Sequence, residues 1–462
     1  MSSTEIQGHR YRFFAVGAIG TFMSTLDGSI LNVALPTIAV DFQCGIPVVA
    51  WVVLAYALTV VSLMLVFGAW TERKGYGFAY KFGFLFFLIG SIVCTVATSI
   101  EILIAGRVVQ AIGSAMFQAV GPGLVTTVFP DQERGKAIGM MVMMVAGGMM
   151  AGPPLGGLIL QHFPWQVIFA INIPIGLVGL FLTSKYFKML PIQNATRPLR
   201  LHGAIALSIA LLSGTLALSL IDDHSLTDFR IWGLAILSLA AFISFFRSES
   251  NPDTALIGMD IFRNRQFTTA LSAAVLMFIA FAGVMVLIPF YLERVKQFEP
   301  QTVGLYLIIF PVLMFIVAPL AGRLSDKIGS RFLTTAGMLI LAGGLYLLSE
   351  LDTTTSEIYI IVSLAATSIG VAVFNTPNSS ALMGSVPENR RAITSGILAT
   401  SRNIGIAVGV ALATSLFAFF ESAQVTEITD SALLFVESYQ SVILVAMVIT
   451  LVGLPFCLAR KR

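Results

Sequence analysis

Long apolar runs separated by short polar segments fill this chain. Fourteen of them lie near 13–35, 48–69, 78–98, 102–128, 137–160, 166–187, 202–221, 230–246, 267–291, 302–321, 332–349, 358–383, 393–419 and 438–458. Runs of about 18 apolar residues or more read as membrane-spanning helices. The positions do not alternate with the period of two that barrel strands require, so a membrane barrel is excluded. The pattern predicts an all-α integral membrane protein of fourteen transmembrane helices, numbered 1 to 14 below.

Composition supports this reading. Of 462 residues, 57% are hydrophobic and 11% charged, and the mean hydropathy is +0.90. Soluble domains carry about 25% charged residues. Basic residues set the orientation, because cytoplasmic loops concentrate Lys and Arg. With a cytoplasmic N-terminus, cytoplasmic segments hold 22 of the 27 basic residues, and the outer loops hold only Arg230, Arg294 and Lys296. Arg107 and Arg402 fall inside predicted helices. The alternation predicts both termini in the cytoplasm of a cell whose inner membrane the chain crosses. The net charge of +3 thus reflects sidedness, and no basic stretch interleaved with aromatics suggests nucleic acid. Cys44, Cys94 and Cys457 are spaced for neither a disulfide nor a metal site. No metal and no cofactor is expected. The first apolar run is too long for a signal-peptide core and is read as helix 1.

A short motif occurs twice. "GAWTERKGYG" at 68–77 and "GRLSDKIGSR" at 322–331 lie 254 residues apart, each at the cytoplasmic end of a predicted helix. Gly68, Glu72, Arg73 and Gly75 in the first copy match Gly322, Asp326, Lys327 and Gly329 in the second, which closes on Arg331. Glycines allow a tight turn, and the charges can pair to hold a face shut, which predicts a gating role over that of a simple topological turn. The spacing predicts a repeated transporter: a six-helix bundle at 1–190, an inserted hairpin of helices 7 and 8 at 191–255, and a second six-helix bundle at 256–462.

Inside helix 1, "FMSTLDGSILNVALP" holds one carboxylate, Asp27, with no base beside it. Ionisable groups in membrane helices are rare and mark ion or substrate paths. Asp27 lies about 14 residues from the inner end of helix 1, or ~21 Å at 1.5 Å per residue, and Arg107 about 6 residues into helix 4 from the outside, ~9 Å deep. Both belong to the outer half. Gln110 shares a helix face with Arg107. In "GMMAGPPLGG", Gly148, Gly152 and Gly156 recur every four residues and let a neighbouring helix approach, while Pro153 kinks the helix before Gly157.

Several segments resemble the major facilitator superfamily, and within it the 14-helix drug:proton antiporters. "LDGSILNVALP" at 26–36 resembles the family's helix 1 signature, and "RVVQAIGSA" at 107–115 its helix 4 motif, with Ala111 where glycine is usual. "GMMAGPPLGG" at 148–157 is similar to its antiporter motif, and "WQVIFAINIPIG" at 165–176 to the opening of its helix 6. "TPNSSALMGSVP" and "SRNIGIAVGVAL" at 376–412 fit helices 12 and 13. The resemblance implies that helices 1 and 4 border a central cavity, so Arg107 is the candidate partner of Asp27, with Asn32, Gln110 and Gln118 extending the network. The pair is either a permanent structural lock or a proton-titrated switch, since burial favours a protonated carboxyl and a nearby arginine favours an ionised one. Helices 9 and 12 become the second half's counterparts, which makes Phe278, Phe281, Asn375 and Asn378 candidate substrate contacts. Arg402, without an acid in its own helix, reads as a packing arginine bonded to backbone carbonyls. Glu293, beside Arg294 at the outer rim, reads as solvated.

Together these features predict a monomeric, proton-coupled exporter of amphipathic small molecules, working by alternating access. A dedicated exporter of a metabolite or siderophore-like compound is the alternative. A membrane-embedded transferase would need a general base, but His9, His162, His202 and His224 sit at loops or helix ends away from membrane acids. A sensor would need a soluble domain, and no loop is long enough to hold one.

Overall fold

The computed structural model describes residues 9–187, 202–220, 228–250, 261–387, 391–424 and 430–459. The side chains of Glu72 and Asp326 lie outside the described set, as do the domain boundaries at 190/191 and 255/256. The first half contains α1 (Arg10–Asp41), α2 (Ile46–Lys74), α3 (Tyr76–Thr95), α4 (Ile100–Val128) and α5 (Asp131–His162). Its last helix, α6, is broken at Ile171 into Val167–Ala170 and Asn172–Tyr186. Next come α7 (His202–Ser219) and α8 (Phe229–Ser250). The second half contains α9 (Arg265–Phe290, continued by a π-turn over Tyr291–Val295) and α10 (Pro300–Leu307 and Ile309–Ile328). It ends with α11 (Ser330–Ser349), α12 (Glu357–Gly384), α13 (Arg391–Gln424) and α14 (Ser431–Leu458).

Thirteen described helices are long and apolar enough to cross a membrane. The fourteenth, α7, has a shorter apolar stretch, Ile205–Ala217, and borders residues outside the described set. It is 18 residues long and pairs with α8 as the expected hairpin.

The repeat extends through the backbone. Gly75 and Gly329, 254 residues apart, share a conformation, with φ 83°, ψ 162° and φ 90°, ψ 147°. Essentially only glycine adopts this region, which lets one residue end a helix and start the next. Gln43 and Gln297, also 254 apart, both have positive φ, and α2 and α3 begin and end 254 residues before α10 and α11. From α4 onward the offset becomes 257: Ser99 and Ser356 cap α4 and α12 by accepting from the N–H groups of Ile102 and Tyr359. Three extra residues in the loop before α12 account for the change.

Packing repeats too. The pairs α1 with α5, α2 with α4, α3 with α4 and α3 with α6 recur as α9 with α13, α10 with α12, α11 with α12 and α11 with α14. The halves meet chiefly along two seams, α5 with α10 and α2 with α13, and α1 also touches α9 and α10. The inserted α7 leans on the second seam, touching α2 and α13. Short connections make successive helices antiparallel, so one face of the bundle holds Arg10 and the 75/329 turns, and the far face holds the loops at 42–45, 163–166 and 296–299.

Candidate functional site

Asp27 sits mid-helix in α1 and is sealed by the helices around it. Its Oδ2 accepts from Arg107 Nη1 at 2.5 Å, and its Oδ1 accepts from Gln110 Nε2 and Asn172 Nδ2, each at 2.8 Å. The side chains of Asp27 and Arg107 are 0% and 1% exposed. The arginine donates through Nε to the Val52 carbonyl at 3.2 Å and through Nη1 to Gln110 Oε1 at 2.5 Å. Tyr56 lies beneath its guanidinium, 4.1 Å from ring centroid to charge. Gln110 also donates to Ser91 Oγ at 3.0 Å. One ion pair therefore ties α1, α2, α3, α4 and α6 together. A buried pair offsets its desolvation only when its remaining donors and lone pairs are satisfied, and here the carboxylate accepts three bonds. One buried acceptor beside it is idle: Asn172 Oδ1 has no hydrogen-bond partner among the described residues.

A polar chain leaves this pair toward the opposite half. Tyr56 Oη meets Ser24 Oγ at 3.2 Å, Ser24 Oγ is hydrogen-bonded to Ser114 Oγ, and Ser114 Oγ accepts from Gln118 Nε2 at 3.2 Å. Gln118 Oε1 then accepts from Asn403 Nδ2 of α13 at 3.4 Å.

The glycines of 148–157 serve two interfaces. A Cβ at Gly152 would stand 2.6 Å from Ser29, and one at Gly156 2.9 Å from Ile30, so these glycines let α5 lie against the α1 backbone. A Cβ on Gly148 would collide with Thr25. Gly157 faces the other way, where a Cβ would stand 2.6 Å from the Pro300 carbonyl of α10. Beside it, Gln161 Nε2 donates to Glu299 Oε2 at 3.1 Å. The far face is thus closed by backbone packing across the halves. Gly157→Leu should hold it open, because overpacking costs about 1–3 kcal/mol, a shift of roughly 5- to 150-fold in a two-state equilibrium. Spin labels at positions 161 and 299 should move apart on average. An unchanged distance distribution would show that this contact does not set the equilibrium.

The other sequence candidates fall in different places. Gln110 is wholly buried within the ion-pair network, and Asn378, also buried, donates to the Ala270 carbonyl at 3.1 Å. Phe278 packs against Gly405, and Phe281 meets Phe310 edge-on at 5.4 Å. Asn32, Gln118 and Asn375 are half-buried. On the Arg10 face, Gly68 and Gly322 are half-buried and Arg73 and Lys327 exposed. Arg331 is half-buried. The ion pair described there is Arg10 with Glu133, at 2.9 Å, joining α1 to α5. Glu293 departs from its expected solvation: its Oε2 is buried without a hydrogen-bond partner in the π-turn. Sequence reasoning missed Asn172, Tyr56, Ser24, Ser91 and Ser114. Only Asn172 carried a local signal, as a lone amide in the apolar "FAINIPIG".

Comparison with known proteins places this architecture. The profile of the Major Facilitator Superfamily matches residues 17–410 and 270–462. The chain is 36% identical over 400 residues to the riboflavin transporter RibZ of Clostridioides difficile, covering 87% of this chain and 86% of that one. It is 32% identical over 412 residues to the multidrug resistance protein Stp of Mycobacterium tuberculosis, covering 88% and 75%. The crystal structure of a bacterial homologue of the human lysosomal transporter Spinster superposes with a TM-score of 0.70 at 16% identity, covering 97% of this chain and 96% of that one. These likenesses, with twelve described helices in two repeated halves and a further pair between them, define a multi-pass membrane transporter. The chain belongs to the major facilitator superfamily.

Proposed function

We propose that this transporter exports amphipathic small molecules in exchange for protons, with Asp27 as the coupling carboxyl and Arg107 as its counter-charge. The observation that carries the reading is the Asp27 site: a sealed carboxylate whose neighbour, Asn172 Oδ1, is an acceptor without a donor. A protonated Asp27 could donate to that oxygen after a turn of the amide, so both protonation states have hydrogen-bond partners. The multidrug resistance relatives support broad substrate range. The riboflavin transporter relative favours a second reading, a carrier dedicated to one metabolite. In this proposal the chain works as a monomer in the inner membrane, its halves are 1–190 and 256–462, the hairpin 191–255 is an insertion, and the 68–77 and 322–331 turns gate the Arg10 face.

Purified protein in vesicles with an imposed pH gradient should accumulate or expel amphipathic dyes against their gradients. Facilitated movement that ignores the pH gradient would contradict proton coupling. Orientation is tested separately. Both termini are proposed to be cytoplasmic, which puts Cys44 outside. Burial raises the Cys44 thiol above its ordinary pKa, so it should label slowly from outside and faster as pH rises. A Cys44 that reacts only after the membrane is permeabilised would reverse the assignment.

A further inference from the structure

Two arginines lie inside the bundle, and their surroundings differ. Arg107 is matched by Asp27, Gln110 and the Val52 carbonyl. Arg402, half-buried on α13, has no hydrogen bond or ion pair among the described residues. The backbone carbonyls expected to accept from it do not. A cation inside a membrane helix with no partner among the described residues is costly to maintain, and the nitrogens of Arg402 are not sealed by the protein.

The repeat shows that the fold does not need it. Gly148 and Gly152 of α5 correspond to Gly405 and Gly409 of α13, 257 residues on, and both pairs seat their helix on the first helix of its own half. By that offset, Arg402 occupies the place of Val145. An apolar side chain serves the same seam in the first half. Phe22 and Leu26, which meet Gly148, recur as Val275 and Ile279 against Gly405, so Asp27 and Arg107 in turn correspond to Ala280 and Leu364, and the second half has no acid at the equivalent site. Among the described residues, the buried cation of the first half is paired with an acid, and Arg402 of the second half is not.

Its direction follows from its neighbours. Gly405 faces Val275 and Phe278 of α9, whereas Asn403 reaches Gln118 of α4. At about 100° per residue, Arg402 projects between these two directions, into the space where the halves face each other.

We infer that Arg402, flanked by Asn403 and Gln118, binds an anionic group of the transported molecule, a carboxylate or a phosphate. The guanidinium fork matches either group bidentately, and the two amides supply further polar contacts at its edge. Glu293 is no internal substitute: it lies 18 residues beyond Val275 on the same helix, ~27 Å away at 1.5 Å per residue. The polar chain from Gln118 through Ser114, Ser24 and Tyr56 joins this subsite to Arg107. The inference rests on the transport reading above and names its substrate class.

The test is equilibrium binding to the purified full chain in detergent, without any gradient. The probes are fluorophore pairs that differ by one acidic group: dansylglycine with dansylamide, and methylumbelliferyl phosphate with methylumbelliferone. The wild type should prefer the acidic member of at least one pair, and which pair separates carboxylate from phosphate. Arg402→Gln should weaken that member by about 10- to 100-fold and leave its neutral twin unchanged. Arg402→Lys should keep part of the preference. If Arg402→Gln does not fold, Asn403→Leu, which retains the cation, should weaken the acidic member by about 2- to 10-fold. Equal binding of both members by the wild type, or equal loss of both in the variants, overturns the subsite. Selectivity for the anion without any response to a pH gradient would refute proton-coupled export and leave the subsite standing. The reverse result would refute only the subsite.

Discussion

Replacing Asp27 by asparagine should abolish accumulation driven by a pH gradient while substrate binding survives. The change keeps the size of the side chain and fixes residue 27 in the uncharged state that a protonated Asp27 would have, beside a still-charged Arg107. The substituted amide can still accept from Arg107, and its NH2, which replaces the oxygen that accepted from Gln110 and Asn172, can donate to Asn172 Oδ1 once that amide turns, so the helix contacts of α1 should hold. Only the exchangeable proton is lost. Vesicles with this variant should still equilibrate substrate down its gradient, and they should show no uphill transport above protein-free vesicles. Retention of uphill transport would move the coupling proton elsewhere, and Glu293, with its unpartnered buried oxygen, is the residue to examine next.

Arg107→Ala should have the largest effect on stability. It strands a buried carboxylate, releases the Val52 carbonyl and empties the face of Tyr56. Breaking a buried pair by removing one partner costs about 3–5 kcal/mol. The thermal midpoint in detergent should fall well below that of the wild type. Adding Asp27→Asn to Arg107→Ala removes the stranded charge and should restore part of the stability, a non-additivity expected of residues in direct contact. What distinguishes a switch from a lock is transport. A purely structural pair predicts that the double variant also recovers uphill transport, whereas the coupling role predicts a stable protein that cannot couple. Additive losses of stability would show that the two residues do not act as a unit.

Much of this architecture was legible in the sequence because membrane helices announce themselves by length and composition. The single offset between two glycine turns already contained the repeat. Gly75 and Gly329 had to be glycine, since their backbone region excludes a side chain, and so the turn left a readable mark. The weakest span, α7, was readable as apolar, but its ends could not be placed from composition. At the site, Asp27 and Arg107 were legible as the ionisable residues inside apolar runs. Their network was less so. Serines and tyrosines are common in such helices, and nothing in Ser24, Ser114 or Tyr56 marks them as neighbours before the helices are packed. Asn172 depends on the break at Ile171, which presents its amide to α1. Gln110 and Asn378 looked like cavity residues because they are polar; helix packing buries both against partners inside their own halves. Arg402 reads as a residue whose charge the backbone absorbs, and only its contacts reveal that no described residue does.

Coupled export through this site requires that the Asp27 carboxyl exchange a proton as substrate binds. The direct measurement is proton release from purified protein in weakly buffered detergent solution, followed with a pH indicator while a transported dye is added. Wild-type protein should release a proton on binding within a window of pH, and Asp27→Asn should bind the same dye and release none. Equal release from both proteins would contradict it.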